Sequence, residues 1–272
     1  MLSKIFGDGM ILYKYISKES LDYIFKDGYI SIKFTPFGDF NDPFESYGSS
    51  IEPYDANSLV HLTMRHELNN KLACLCLSRD PLNVLMWSHY GDKHGGFVIG
   101  FDSESAGFED ESAFIITASK GGINYRPERD RKGVRVTSEN IYTEEVSNAL
   151  LLNKSLHWSY ESEVRVIKRT DLLDCDGGHL VHKVINKGAV RELYIGMRNH
   201  SFNKMFSENT YLESIILNAD VKLYRCDFKN GTWDLDKEHF EYYKNGDSKI
   251  NFLECIESLD KVIRAINRNK TD

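Results

Sequence analysis

Acids and a base alternate with apolar residues in Trp158-Ser159-Tyr160-Glu161-Ser162-Glu163-Val164-Arg165-Val166-Ile167, and no other stretch gathers groups so suited to chemistry. Read as a strand, its period of two puts Glu161, Glu163 and Arg165 on one face and Ser162, Val164 and Val166 on the other. Two carboxylates held that close repel, so at least one titrates high unless a cation such as Arg165 offsets the repulsion. A half-exposed strand with a same-strand ion pair shows the same alternation, and spacing alone leaves both readings open.

Two further groups could contribute. Asn41-Asp42-Pro43, next to Glu45, would clamp a ligand amide or ribose, since asparagine both donates and accepts and proline stiffens the turn; equally, Asn41 or Asp42 would close an Asx-turn on its own backbone. Trp87-Ser88-His89-Tyr90 at a helix end offers an aromatic wall and a titrating imidazole, or plain core packing by Trp87. Other chemistries lack their signatures. Gly91-x-x-x-Gly95-Gly96 has neither the Lys-Ser/Thr of a phosphate loop nor a dinucleotide-fold spacing, no G-x-S-x-G elbow occurs, and no cysteine has a nearby histidine in an arrangement that suggests a thiol nucleophile. Without a C-x-x-C or H-x-x-x-H pair no metal is expected, and Cys74 and Cys76 read as one face of a buried strand.

The elements that must position these groups follow from periodicity. Ile11 to Tyr15 reads as a strand, then a helix capped by Ser17 and stopped by Gly28, then a strand over Tyr29 to Phe34. Phe37 to Glu45 reads as an ordered loop anchored by Phe40 and Phe44. A helix is expected over Asp55 to Lys71, a buried strand over Ala73 to Ser78, and a helix opened by Asp80-Pro81 that carries Trp87. Phe97 to Phe101 reads as a central strand, with further strands at Phe114 to Thr117 and Ile123 to Arg126. Pro127 to Lys132 reads as a charge-dense turn and Ser138 to Leu156 as a long helix, before the acidic strand from Tyr160. Strands are expected at Leu180 to Ile185, Val190 to Ile195, Ser214 to Leu217 and Val221 to Cys226. Segment 240–272 closes the chain as an amphipathic helix, with Ile250, Leu253, Ile256 and Leu259 near helical spacing over Asp247 to Asn267. The pattern favours a single α+β domain over 1–272, with a central mixed or antiparallel sheet and flanking helices, over a doubly wound fold.

With 272 residues, 41% of them hydrophobic, the chain can bury a substantial core, and its net charge of −7 argues against a basic nucleic-acid surface. No stretch approaches the ~18 to 20 uncharged apolar residues of a membrane span. Met1 to Met10 lacks the basic start and apolar run of a signal peptide, so a cytoplasmic location away from membranes is expected.

Taken together, Leu12-Tyr13-Lys14-Tyr15, Phe40-Asn41-Asp42-Pro43-Phe44-Glu45, Met86-Trp87-Ser88-His89-Tyr90 and Trp158-x-x-Glu161-x-Glu163-x-Arg165 resemble a widespread bacterial family of domains of unknown function. More distantly, the arrangement resembles ADP-ribosyltransferase folds, which open on a strand with Leu-Tyr-His or an arginine equivalent and end the site on a strand with E-x-E. That resemblance implies NAD as substrate, cleaved at the nicotinamide-ribose bond, with Glu163 as catalytic acid and Glu161 as helper. It implies Tyr13 and Lys14 at the ribose-binding position, Trp87 or Tyr90 against nicotinamide, and Asn41, Asp42 and Arg165 as further NAD contacts. Lysine is a compact point charge rather than a ring or a planar fork, which is where this chain departs from the pattern. A defence or toxin role in bacteria is the expected setting, with a protein, nucleic acid or small molecule as acceptor. Two alternatives stand beside it: a metal-dependent nuclease using Asp42, Glu161 and Glu163 with Lys168, and a sensor module that binds a ligand in the same pocket without chemistry.

Overall fold

Period-two alternation sorts the central strands onto opposite sides of the sheet, where the buried residues form one large core and two smaller ones. A computed structural model describes residues 9–26, 28–52, 59–137, 139–242 and 248–249. Every residue of the Phe97–Asp102 strand is buried; Phe97, Ile99 and Phe101 join the large core and Val98 one of the smaller ones. The neighbouring Ile11–Ile16 strand divides likewise, with Leu12 and Ile16 on one side and Tyr15 on the other. A strand apolar on both faces belongs in the middle of a sheet.

The main sheet has twelve strands. In spatial order its continuous path is Asp174–Asp176, His179–Val184, Tyr29–Pro36, Leu72–Ser78, Ile11–Ile16, Phe97–Asp102, Val190–Ile195, Lys222–Phe228, Leu235–Tyr242 and Ser248–Lys249. Phe25–Lys26 adds to Tyr29–Pro36, and Glu163–Arg169 adds to Leu72–Ser78. Neighbours run antiparallel except Val190–Ile195 beside Lys222–Phe228. Helices precede and interrupt this mixed sheet, giving the single α+β domain expected.

Leu72–Ser78 is the junction that matters for the site. It pairs with Tyr29–Pro36 at Cys74 and Ala73, meets Ile11–Ile16 where Ser78 lies opposite Tyr13, and pairs along its whole length with Glu163–Arg169. Tyr13, Ser78 and Glu163 therefore lie in one row across three strands. Gly121 closes the far side of the Glu163 strand: Arg165 donates its N–H to the Gly121 carbonyl at 2.8 Å, and any Cβ on Gly121 would collide with the Arg165 backbone.

Several expected elements differ. The helix expected over Ser138 to Leu156 is confined to Glu144–Leu151, because Thr143 caps it, its hydroxyl accepting from the Val146 N–H, and the chain then forms the Asn153–Ser155 strand and a 3-10 helix over Leu156–Glu161. The acidic strand therefore begins at Glu163 rather than Tyr160. Asn83, not Asp80, caps the helix that carries Trp87, with its side-chain oxygen accepting from Leu85 and Met86. Segment Ser214 to Leu217 lies in a helix, Thr210–Asn218, whose buried Leu212, Ile215 and Ile216 follow helical spacing and whose cap is Asn209. A four-residue apolar run does not by itself separate strand from helix. Within Pro127 to Lys132 the turn gives way to the Asp130–Arg135 strand, paired in parallel with Ser49–Glu52. The helix expected over 240–272 gives way at its start to the Leu235–Tyr242 strand and at 248–249 to a strand paired with it; residues 243–247 and 250–272 lie outside the described residues.

Candidate functional site

A cavity of about 280 Å³ opens where those three strands meet. Tyr13, Lys14, Asn41, Tyr90, Glu161 and Glu163 line it, joined by Ser78, Cys76 and Lys154. A second cavity of about 400 Å³ shares Lys14, Tyr15, Thr35 and Tyr90 with the first, so the two are lobes of one depression.

The acids are brought together by backbone as much as by sequence. Successive same-face residues of a regular strand sit roughly 6.5 to 7 Å apart. Here the 3-10 helix delivers Glu161, and Ser162 adopts a left-handed conformation at φ 45° before the strand starts. The turn is pinned by the Ser78 hydroxyl, which donates to the Glu161 carbonyl at 2.7 Å, and by the Arg79 N–H, which donates to the Ser162 carbonyl. A left-handed serine stores strain that its surroundings must hold in place. As a result both carboxylates reach the same ammonium: Lys154 Nζ lies 2.6 Å from Glu161 and 3.1 Å from Glu163.

Around this pair the charges interlock. Arg165, fully buried, donates from Nε to Glu163 at 2.8 Å, from one terminal nitrogen to Glu45 at 2.7 Å and from the other to the Leu151 carbonyl at 2.6 Å. That carbonyl is the last of a helix and would otherwise lack a partner. Phe37 and Phe40 cover the guanidinium. Glu45 also lies 3.5 Å from Lys154, so three carboxylates share two cations.

The two acids titrate in opposite directions. Burial alone would raise Glu163, but Arg165 and Lys154 outweigh it and hold its carboxyl at about 2. Burial raises Glu161, with repulsion from Glu163 adding to it and Lys154 opposing it. Tyr90 donates its hydroxyl to Glu161 at 2.9 Å, and burial with that carboxylate beside it pushes the phenol up. Tyr125 accepts the Glu163 N–H at 2.8 Å, fixing the start of the strand.

Lys14 donates to the Cys76 carbonyl at 3.0 Å, at the boundary between the lobes, and Tyr13 donates to Glu192 at 3.0 Å. Asn41 is exposed on the rim. Three other candidates fall elsewhere. Trp87 is wholly buried, donates its indole N–H to Pro81 and packs edge-on to Tyr15 and flat on His94, so it cannot stack on a ligand. Asp42 accepts the Phe44 N–H at 2.9 Å in the Asx-turn and faces a separate cavity. Phe44 is 59% exposed, so that turn anchors Phe40 against Phe37 but leaves Phe44 in solvent. Arg165 has no exposed surface and acts from behind Glu163.

Sequence reasoning missed Lys154, Ser78 and Tyr125, and it gave Glu45 no partner. No motif marks them; the pairing of Asn124–Arg126 with Asn153–Ser155 is what brings Tyr125 and Lys154 to the acids. Of the residues named for a nuclease, Asp42 lines a different cavity from Glu161 and Glu163, both acids are bonded to Lys154, and Lys168 sits over Phe114. Among the described residues no group of three His, Cys, Asp or Glu is placed to hold a metal ion.

Residues 86–166 match DUF2971, a family of proteins of unknown function. The match takes in Tyr90, Lys154, Glu161, Glu163 and Arg165, while Tyr13, Lys14, Asn41 and Glu45 lie outside it. No curated protein and no solved structure matches the chain. Among the described residues no helix is long and apolar enough to cross a membrane.

Proposed function

We propose that the chain is an NAD-using enzyme of the ADP-ribosyltransferase type, which breaks the nicotinamide-ribose bond and passes ADP-ribose to an acceptor nucleophile or to water. The observation that carries this reading is the convergence of Lys14, Tyr90, Glu161 and Glu163 on one cavity. A dinucleotide has two ring-bearing halves joined by an anionic pyrophosphate, and the two lobes meet at Lys14. Pockets for small molecules of this kind run from ~300 to 1,000 Å³.

The bond breaks with its electron pair going to nicotinamide, leaving positive charge on the ribose. A carboxylate kept ionised at the cavity wall, as Glu163 is by Arg165, stabilises that charge where it develops. Glu161, held high, is suited to accept the proton of the attacking nucleophile, with Tyr90 orienting it. Nicotinamide and a proton are released. NAD is a cytoplasmic metabolite, and depletion of it on expression would fit a toxin or defence role.

Both acids are also bonded to fixed cations, an observation that favours a second reading: a module that binds a dinucleotide without consuming it. Nicotinamide release and transfer of labelled ADP-ribose from NAD, with and without cell extract, separate the two. Calorimetric binding of NAD with no turnover would select the binding module, and neither binding nor turnover would end the NAD reading.

A further inference from the structure

Lys154 has no place in the expected set, yet its Nζ is the meeting point of the site. It lies 2.6 Å from Glu161, 3.1 Å from Glu163 and 3.5 Å from Glu45, and 5.0 Å from the ring of Trp158. Its side chain is only 8% exposed. A lysine this buried is unusual unless paired. Arg165 ties Glu163 to Glu45, but the ion pair of Glu161 runs to Lys154. Lys154 and Glu45 also line a third cavity, of about 190 Å³, and Lys154 lines the substrate cavity too.

We infer that Lys154 is a positioning residue: its ammonium draws Glu161 beside Glu163 against the cavity. The kinetic part of this inference rests on the NAD-cleaving reading; the charge-setting part does not. Two carboxylates this close would swing apart or share a proton if no cation bridged them. The groups facing Glu161 and Lys154 come from every element packed there: Glu45 from the turn after Asn41-Asp42-Pro43, Tyr90 from the helix end, Tyr125 from its strand, Trp158 and Tyr160 from the 3-10 helix, and Cys76, Glu163 and Arg165 from the paired strands. Of these only Lys154 and Arg165 are cations, and Arg165 is turned to Glu163 and Glu45; Lys14, which lines the same cavity, is turned to the Cys76 carbonyl. Removing the ammonium leaves Glu161 with the Tyr90 hydroxyl as its donor and no cation against the Glu163 charge, and its proton is held to higher pH.

The test uses the full chain and Lys154→Met, with Lys154→Arg as the charge-keeping control. Carboxyl-carbon NMR of protein carrying labelled glutamate, assigned with Glu161→Gln, follows Glu161 without any substrate. Lys154→Met is expected to move the Glu161 titration to higher pH by a unit or more, about a tenfold change in proton affinity, and Lys154→Arg to return it most of the way. An unmoved titration overturns the inference. Nicotinamide release is expected to fall on the order of 10²-fold in kcat with KM little changed, and the acid limb of its pH profile to move up with Glu161. If wild type consumes no NAD, the functional reading fails while the titration still decides the role of Lys154. Should Lys154→Met fail to fold, Lys154→Met with Glu45→Gln keeps the net charge of the cluster and still removes the bridge; a wild-type titration there also overturns the inference.

Discussion

Tyr13 links two polar clusters, a half-buried one around Glu192 and a buried one around Lys154, and they satisfy their acids differently. In one, Glu192 accepts hydroxyl hydrogens from Tyr13 at 3.0 Å and Tyr194 at 2.8 Å, while Lys237 donates to Tyr194 at 2.8 Å and lies over the Tyr224 ring. One carboxylate faces one cation, with neutral phenols between, and burial pushes both phenols up. In the other, Glu45, Glu161 and Glu163 share Lys154 and Arg165, leaving an excess carboxylate at a cavity wall. Balanced charge among aromatic rings braces a sheet. Three paired acids on two cations leave the second cluster one negative charge in excess beside a cavity.

The most severe way to test the contrast is Arg165→Met. Truncating one partner of a buried pair leaves the others uncompensated, typically at a cost of ~3 to 5 kcal/mol, and Glu163, Glu45 and the Leu151 carbonyl all lose a donor. Urea unfolding should show that loss; a change under ~1 kcal/mol would mean the guanidinium is not holding the acids.

Glu163→Gln comes next. It keeps shape while removing charge, so turnover of NAD should drop by roughly 10²–10³-fold, and relief of repulsion with Glu161 should keep the fold, as circular dichroism would verify. Wild-type nicotinamide release from folded Glu163→Gln would make the acid cluster as structural as the Glu192 one.

Acid pH probes the same residue. The folded carboxyl of Glu163 is held at about 2, below its unfolded value near 4.5, so its contribution to stability is present above that unfolded value. It should be lost as pH falls from about 4.5 through about 2. Wild-type melting temperature should thus decline across that window more steeply than that of Glu163→Gln, and parallel curves would count against the assignment.

Glu192→Gln should be the mildest change. The amide still accepts from Tyr13 and Tyr194, and only the charge-assisted part of two hydrogen bonds is lost, about 1 kcal/mol. A loss of turnover as deep as that of Glu163→Gln would erase the distinction between the clusters.

The sequence by itself determined what period and composition control. Phe97–Asp102 is central because it is apolar on both faces, and Glu163 to Ile167 alternates as a strand must, whereas Asn41-Asp42-Pro43 reads equally as a ligand clamp or an Asx-turn until the Asp42 carboxylate is seen to accept the Phe44 N–H. The same local rules misread Ser138 to Leu156, where a cap at Thr143 and the Asn153–Ser155 strand divide what periodicity joins. They also leave Trp87 ambiguous, since a helix end with an aromatic reads the same whether the ring faces ligand or core. Only the tertiary structure decided that Glu45, Lys154 and Arg165 meet, because that contact depends on which strands pair, and pairing is a long-range choice that no window of sequence contains. Charge sign and spacing name the candidates, and the surrounding burial decides which of them hold an excess charge against a cavity.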